Sequence, residues 1–208
     1  MQIYNAPVDD ILFQLRAFGY PEKVATLEAF AGFDLETMEA LLRQAAAVAS
    51  DVLLPLNGTA DREGLKWDPK TGTVTTPAGF IDAYKQIFEL GFIGICGPEE
   101  HGGGGGPSSL GTFFTEMWLS ANKSFSMCPG LSNGMTEALH AHGSAELNAK
   151  YLEKLVTGEW SGTMCLTEPQ CGTDLGMVRT KAVPEGDHFL LTGTKIWITF
   201  GEHDLTPN

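Results

Sequence analysis

A change in hydrophobic period at Gly158 restricts the fold of this chain more than any other feature of its sequence. Before that residue, apolar side chains recur at three- and four-residue steps, which is the spacing of one helix face. Asp34 and Ser144 are expected as N-caps, whereas Pro55 and Gly158 are expected to end the first and the last of these helices. The helical runs begin near Asp34, Phe80, Pro107 and Ser144.

Beyond Gly158 the chain is rich in short runs of β-branched and aromatic residues, which favour strands. These runs are Trp160–Leu166, Val178–Ala182, His188–Thr192 and Lys195–Phe200. Turn residues at Pro184–Asp187 and Thr192–Thr194 are expected to connect antiparallel neighbours. We therefore predict an α+β fold, with an all-α helical domain at residues 1–158, of which 1–33 are an extension. The beginning of an antiparallel β-barrel or β-sheet domain follows at residues 159–208.

The predicted sheet looks incomplete. Only the residues 201–208 follow its last strand-like run. Three or four strands with an unpaired edge tend to pair with other chains. Either another element covers that edge, or the chain is a piece of a longer one.

Composition excludes several classes of function. The chain has 13 basic and 26 acidic residues and a net charge of -13, so nucleic acids and anionic membrane surfaces would repel it. No pair of its cysteines or histidines has metal-ligand spacing, and we expect neither a zinc site nor a disulfide framework. The sequence has no basic leader and no apolar run of about 20 residues, so we expect a soluble, cytoplasmic protein without a membrane partner. The cysteines are Cys96, Cys128, Cys165 and Cys171.

Two features suggest a phosphate-binding loop and a metal site, but their residue patterns do not match either. The glycine run Gly102–Gly106 lacks the lysine of a G-x-x-x-x-G-K-S/T loop and does not complete G-x-G-x-x-G, so a flexible interhelical loop is the favoured interpretation. His140 and His142 are two residues apart on a predicted helix and therefore point to different sides, so they cannot share a metal ion without distortion. No Ser-His-Asp pattern or carboxylate pair is evident.

The segment Met164–Asp174 has the composition of a binding segment. It begins as an apolar strand and is then interrupted by hydroxyls, a carboxylate and a glycine. A flavin needs hydrogen-bond donors near N5 and along its pyrimidine edge, together with a flat apolar wall. Threonine hydroxyls, backbone amides and Trp197 could supply both. A bulged strand with an Asx-type turn and a buried Trp197 fits the same residues and is the commoner arrangement.

Four stretches of the sequence together resemble the acyl-CoA dehydrogenase family. Thr167–Asp174 matches the family segment T-E-P-x-x-G-S/T-D, and Trp197–Thr199 matches W-I-S/T about twenty residues later. Cys96–Gly103 is similar to its P-E-E-x-G-G loop, and Gly143–Glu159 to its G-S-x-E-x-x-x-x-Y-L helix. The N-terminal extension resembles that of a longer subfamily that includes 3-methylthiopropanoyl-CoA dehydrogenases.

The resemblance implies FAD as cofactor and assigns it a set of contacts. Thr173 also matches a substrate-contacting serine of the family. The sequence departs from the usual family residues at Met164, Cys171, Thr173 and Phe200, which would change ring packing or potential without removing donors. The implied flavin contacts are Met164, Leu166, Thr167, Gly172, Thr173, Trp197, Ile198 and Thr199.

The resemblance further implies α,β-dehydrogenation of an acyl-CoA thioester to a 2-enoyl-CoA. The family's catalytic base is a glutamate in a C-terminal helical domain, which these residues do not include, so we expect this chain alone to be inactive. An electron-transfer flavoprotein as acceptor and a homo-oligomer are implied for a full-length member. The alternative is a non-catalytic flavin- or partner-binding module on the same scaffold.

Overall fold

Helices account for most of the chain up to residue 157. The computed structural model describes residues 3–208, so the first two residues of the predicted extension lie outside the described part. The helices are α1 (Val8–Ala17), α2 (Tyr20–Lys23), α3 (Leu35–Ala47), α4 (Leu54–Glu63), α5 (Phe80–Glu89), α6 (Ser108–Ala121), α7 (Lys123–His142) and α8 (Ala145–Thr157), with 3₁₀ turns at Glu28–Phe30, Glu99–His101 and Leu175–Met177.

Antiparallel hairpins complete the architecture. Strands β1 (Lys66–Trp67) and β2 (Val74–Thr75) form one, and β3 (Lys181–Glu185) and β4 (His188–Thr192) form the other. The first hairpin lies between α4 and α5, and the second follows the helices. Helices together with short antiparallel strands confirm the predicted α+β fold class. Within residues 3–208, no helix has both the length and the apolar character that crossing a membrane requires.

Side-chain caps begin the helices where the sequence predicts them. Asp34 accepts a hydrogen bond from the Thr37 amide at 2.8 Å, and Ser144 accepts one from the Leu147 amide at 3.2 Å. Gly158 ends α8 with a φ of 86°, a left-handed conformation that suits glycine. Local capping chemistry therefore sets these boundaries.

The prediction that Pro55 ends its helix is wrong. A π-helical segment, Val48–Leu53, follows α3 and passes directly into α4. The Leu54 amide donates to the carbonyl of Ala49, five residues back. Pro55 then falls in the first turn of α4, where a missing N–H is tolerated and the fixed φ is helical.

The apolar core includes buried side chains of α1, α3, α5, α6 and α7. The rings of Phe80 and Phe125 meet edge to face, with centroids 5.3 Å apart. The buried indole of Trp118 on α6 donates to the carbonyl of Ala45 on α3 at 3.2 Å. Aromatic packing and a satisfied indole N–H thus join these helices into one cluster.

Hydrogen bonds attach both ends of the segment 158–204 to the part of the chain that precedes it. The buried Tyr84 hydroxyl donates to the carbonyl of Gly158 at 2.8 Å, and burial raises the pKa of Tyr84, so the hydroxyl stays a donor. At the other end, Asp204 accepts from the amide and the hydroxyl of Thr76 at 3.1 and 2.6 Å. Leu205 is buried in the apolar core.

The glycine run packs against its own loop. The amides of residues 103–106 donate to carbonyls within residues 94–98 at 2.8–3.0 Å. A Cβ on Gly103 would lie 2.2 Å from the Gly97 carbonyl oxygen. Because these amides already donate to backbone carbonyls, they cannot hold a phosphate, and the predicted interhelical loop without a phosphate site agrees with the structure. The same hydrogen bonds hold the loop in place, whereas the sequence predicts a flexible loop.

The strands after Gly158 differ from the prediction. β3 begins at Lys181, so residues 178–180 of the predicted strand are not part of it. Pro184 and Glu185 continue β3, and the turn is shortened to Gly186 and Asp187. The runs 160–166 and 195–200 are not strands. Trp197 and Phe200 have positive φ values of 58° and 52°, which an extended strand does not accept.

Candidate functional site

Glu168 is the point at which the segments after Gly158 converge. Its side chain is buried. One oxygen accepts from Lys195 Nζ at 2.8 Å and from the Thr180 amide at 3.0 Å, and the other accepts from the Arg179 amide at 2.8 Å and from Gln170 Nε2 at 2.5 Å. A single carboxylate therefore binds three separate parts of the chain.

These contacts keep the Glu168 carboxylate charged. The Lys195 ammonium is the largest cause that holds the pKa of Glu168 far below its usual range, and the Arg179 and Thr180 amides add to it. Burial acts in the opposite direction and is outweighed. A carboxylate held so firmly in its anionic form is a poor proton acceptor at neutral pH, so Glu168 is a structural anchor.

Two sequence motifs that are far apart in the chain lie side by side. The Ile196 amide donates to the Thr167 carbonyl at 2.9 Å, and Lys195 Nζ also donates to the carbonyl of Leu166 at 3.0 Å. The Thr163 hydroxyl donates to the carbonyl of Thr199 at 2.6 Å. The segment 163–168 and the segment 195–199 therefore form one surface.

Large apolar side chains of this surface are exposed. Trp197 is 83% exposed and Met164 is 58% exposed, while Leu166 is 40% exposed. Thr167, Ile198 and Thr199 are half-buried beside them. The alternative of a bulged strand with a buried Trp197 is therefore wrong in its placement of Trp197. An exposed tryptophan with a positive φ is a costly arrangement that commonly marks a binding surface.

Gly172 and Thr173 occupy an exposed turn next to this surface. The turn begins where Glu168 and Cys171 exchange backbone hydrogen bonds of 3.0 and 3.1 Å. It ends where Asp174 accepts from the Gly176 amide at 3.1 Å, which is the Asx-type turn that the sequence suggests.

Sequence reasoning did not identify the pairing of Glu168 with Lys195. The two residues are 27 positions apart and lie in separate segments of the sequence. Glu168 closely follows one apolar run and Lys195 precedes another, which is a usable signal because buried charges occur in pairs. Thr163 left no comparable signal.

A buried serine–histidine contact near the site is structural. Ser161 Oγ lies 2.9 Å from His203 Nε2. The Leu205 amide donates to His203 Nδ1 at 3.2 Å, so the ring proton is placed on Nε2 and is donated to the serine. Burial lowers the pKa of His203. An imidazole with this tautomer cannot take the Ser161 proton, and the pair is not a nucleophile with its base.

The chain is similar to known proteins along almost its entire length. Residues 36–159 match the family described as "Acyl-CoA dehydrogenase, N-terminal domain". The 3-methylmercaptopropionyl-CoA dehydrogenase of Ruegeria pomeroyi is 42% identical over 206 residues, which cover 99% of this chain and 35% of that protein. A butyryl-CoA dehydrogenase of Syntrophomonas wolfei is 33% identical over 209 residues, which cover 99% of this chain and 34% of that protein.

A solved structure agrees with this similarity. The acyl-CoA dehydrogenase of Bacillus anthracis, complexed with FAD, superimposes with a TM-score of 0.63 at 26% identity. The match covers 77% of this chain and 26% of that one. The present chain spans about a third of the length of the curated relatives that it matches.

Proposed function

Because the chain belongs to the acyl-CoA dehydrogenase family, we propose that it supplies part of the flavin and substrate site of an enzyme that dehydrogenates an acyl-CoA thioester. One observation carries the proposal. The motif at Thr167 and the motif at Trp197 are joined by the 2.9 Å hydrogen bond between Ile196 and Thr167, and they present exposed apolar side chains.

The residues of this surface fit the isoalloxazine ring of FAD. A flavin ring has two flat apolar faces and a polar pyrimidine edge, so its site needs both kinds of contact. Trp197, Met164 and Leu166 offer exposed apolar area. The hydroxyls of Thr167 and Thr199 and the neighbouring amides offer donors. We assign Ile198 and Gly172 to the same contact set by their motif positions.

Thr173 is proposed to contact the thioester part of the substrate. It is exposed and follows the flavin motif directly along the chain. When bound, FAD supplies the acceptor for the hydride that leaves the substrate's β-carbon. The contribution of this chain is to position the two molecules and to exclude water from one side of them.

The proton-abstracting base is proposed to lie outside residues 3–208. Glu168 is the one acid among the described residues that is fully buried, and its carboxylate is bound to Lys195. A general base needs a pKa near the working pH, which Glu168 does not have. We therefore propose that this chain binds ligands but does not turn over acyl-CoA by itself.

The remaining assignments follow from the family. Similarity to the Ruegeria protein over 99% of the chain supports a short acyl-CoA such as 3-methylmercaptopropionyl-CoA as the first substrate to test. We propose an electron-transfer flavoprotein as the acceptor and a homo-oligomer as the working form. The helical domain is proposed to end at Gly158, where α8 is capped, and residues 159–208 belong to the β-domain.

Flavin binding by the purified chain tests the proposal. When FAD is titrated with the exhaustively desalted chain, we expect saturable quenching of its fluorescence. Thr167→Val is expected to bind FAD more weakly. Thr194→Val changes an exposed threonine of the neighbouring segment and is expected to bind FAD like the parent. Absence of quenching, or equal affinities in both variants, would contradict the assignment.

A partner-binding module is the second candidate, because the hairpin β3–β4 is exposed on both faces. Val183, Phe189, Leu190 and Leu191 are each at least 51% exposed. Such area favours contact with another polypeptide segment. Co-purification of one defined protein, together with no affinity for FAD, would favour this module over the flavin site.

A further inference from the structure

We propose that Glu100, His101 and His140 form a binding site for a divalent transition-metal ion such as Zn²⁺. One ligand atom of each side chain lies within 4.8 Å of those of the other two. The imidazole rings of His101 and His140 meet nearly at right angles, with centroids 6.3 Å apart. This cluster lies apart from the flavin surface in sequence, and its existence does not depend on the proposed function.

The elements that carry the ligands are well fixed. Glu100 and His101 belong to the 3₁₀ turn Glu99–His101, where the His101 amide donates to Pro98 at 3.1 Å. The Gly103 amide donates to the same Pro98 carbonyl at 2.9 Å, so the glycine loop is hydrogen-bonded to the start of this turn. His140 lies in the last turn of α7. The backbone thus holds Glu100 and His101 close to His140.

The donor set selects the class of ion. Two imidazole nitrogens with one carboxylate oxygen are a common set for Zn²⁺ and its first-row neighbours, whereas Mg²⁺ and Ca²⁺ prefer oxygen ligands. Three protein ligands leave a fourth position for water or another donor.

The geometry allows the ion to be bound with small side-chain movements. Ligand atoms around a tetrahedral zinc ion are about 3.4 Å apart, given bonds of about 2.1 Å. Glu100 and His140 are exposed and His101 is half-buried, so rotation about their side-chain bonds can close the remaining distance.

The electrostatic surroundings favour a cation. The carbonyls at the C-terminal end of α7 place partial negative charge beside His140. The net charge of the chain is -13, which adds a long-range attraction. A bound ion would link the 3₁₀ turn to α7 and stabilise both.

The sequence alone predicts no zinc site because the three ligands have no motif spacing. His140 follows His101 by 39 positions, and its nearer neighbour His142 lies on another side of α7. Only the packing of the loop before α6 against the helices that follow brings them together.

Zinc titration of the metal-free chain in competition with a chromogenic chelator tests the site. All proteins carry Cys165→Ser, because the exposed Cys165 thiol could bind zinc independently. We expect saturable binding of one zinc ion per chain and a higher unfolding temperature with zinc. His140→Gln is expected to weaken binding at least about tenfold, which even the loss of an outer-shell partner can cost.

His142→Gln is the matched control. It removes an exposed histidine from the same helical turn and is expected to leave zinc affinity unchanged. Glu100→Gln keeps the size of an exposed side chain and must also weaken binding, so the test does not depend on one variant folding. The proposal is overturned if the parent shows no saturable binding, or if Glu100→Gln or His140→Gln binds zinc as tightly as His142→Gln.

Discussion

Lys195 Nζ lies 2.8 Å from Glu168 Oε1, and this ion pair joins the two motifs that form the candidate flavin surface. The Glu168 side chain is 2% exposed and that of Lys195 is 23% exposed. Lys195 also binds the Leu166 carbonyl, so its ammonium connects a backbone and a carboxylate at once. Trp197 follows Lys195 by two residues, so we expect its position to depend on this connection.

Removal of the ammonium is expected to loosen the surface. Lys195→Met leaves an anionic Glu168 buried without its strongest partner, so we expect amide exchange at Ile196 to become about tenfold faster, comparable to the loss of one charge-assisted hydrogen bond. Hydrogen exchange measures this. Lys181→Met, which changes an exposed lysine of β3, serves as control. Equal exchange rates at Ile196 in the two variants would show that the pair does not organise the segment.

The same carboxylate predicts a pH dependence of stability. The folded pKa of Glu168 is lower than its ordinary value of 4.5, so its stabilisation is complete above that value and is lost as the pH falls toward the folded pKa. In urea unfolding, the parent should therefore have a higher free energy of unfolding than Glu168→Gln. This difference should be constant near neutral pH and should shrink below about pH 4.5.

Glu185→Gln is the control for this comparison, because Glu185 is exposed in the hairpin. Its stability difference from the parent should be small at every pH. If the free energy of unfolding of the parent exceeds that of Glu168→Gln by the same amount at low and neutral pH, the lowered pKa of Glu168 is contradicted.

The glycine loop should not tolerate a side chain at Gly103. A Cβ there would lie 2.2 Å from the Gly97 carbonyl oxygen, so Gly103→Ala is expected to lower the free energy of unfolding by about 1–3 kcal/mol through overpacking. Gly130→Ala lies within α7 with open space around the new Cβ, and should be neutral or stabilising by up to about 1 kcal/mol. Urea denaturation distinguishes the two; similar values would refute the close packing of this loop.

Asn122 should contribute to stability from both ends of its side chain. Its buried amide donates to the Leu53 carbonyl at 3.1 Å and accepts from the Phe125 amide at 3.1 Å, which caps α7. Asn122→Ala is expected to cost about 2–3 kcal/mol. Ser124→Ala alters an exposed residue in the same turn and should change the free energy of unfolding by less than about 0.5 kcal/mol. Similar losses in both variants would contradict this role for Asn122.

The parts of the fold that depend on residues close together in the sequence could be predicted from it. The caps at Asp34, Ser144 and Gly158 are local, because a side chain or a glycine needs only the following or preceding turn. The prediction for Pro55 is wrong because a π-helical segment precedes this residue and continues into α4.

Features that require distant contacts could not be predicted. Trp197 belongs to a run with strand composition, yet its φ is positive, and its neighbours Lys195 and Ile196 make tertiary contacts with the segment around Thr167. His140 approaches Glu100 only after the helices pack. The flavin contacts assigned through the family motifs stay predictions until binding is measured.

Comparison of FAD affinity between two tryptophan variants tests the central claim most directly. Trp197 and Trp67 are both exposed, at 83% and 66%, but only Trp197 lies on the candidate surface, whereas Trp67 belongs to β1. We predict that Trp197→Ala weakens FAD binding about tenfold, as the loss of one aromatic contact implies, and that Trp67→Ala leaves it unchanged. Equal affinities in the two variants would show that this surface does not hold the flavin.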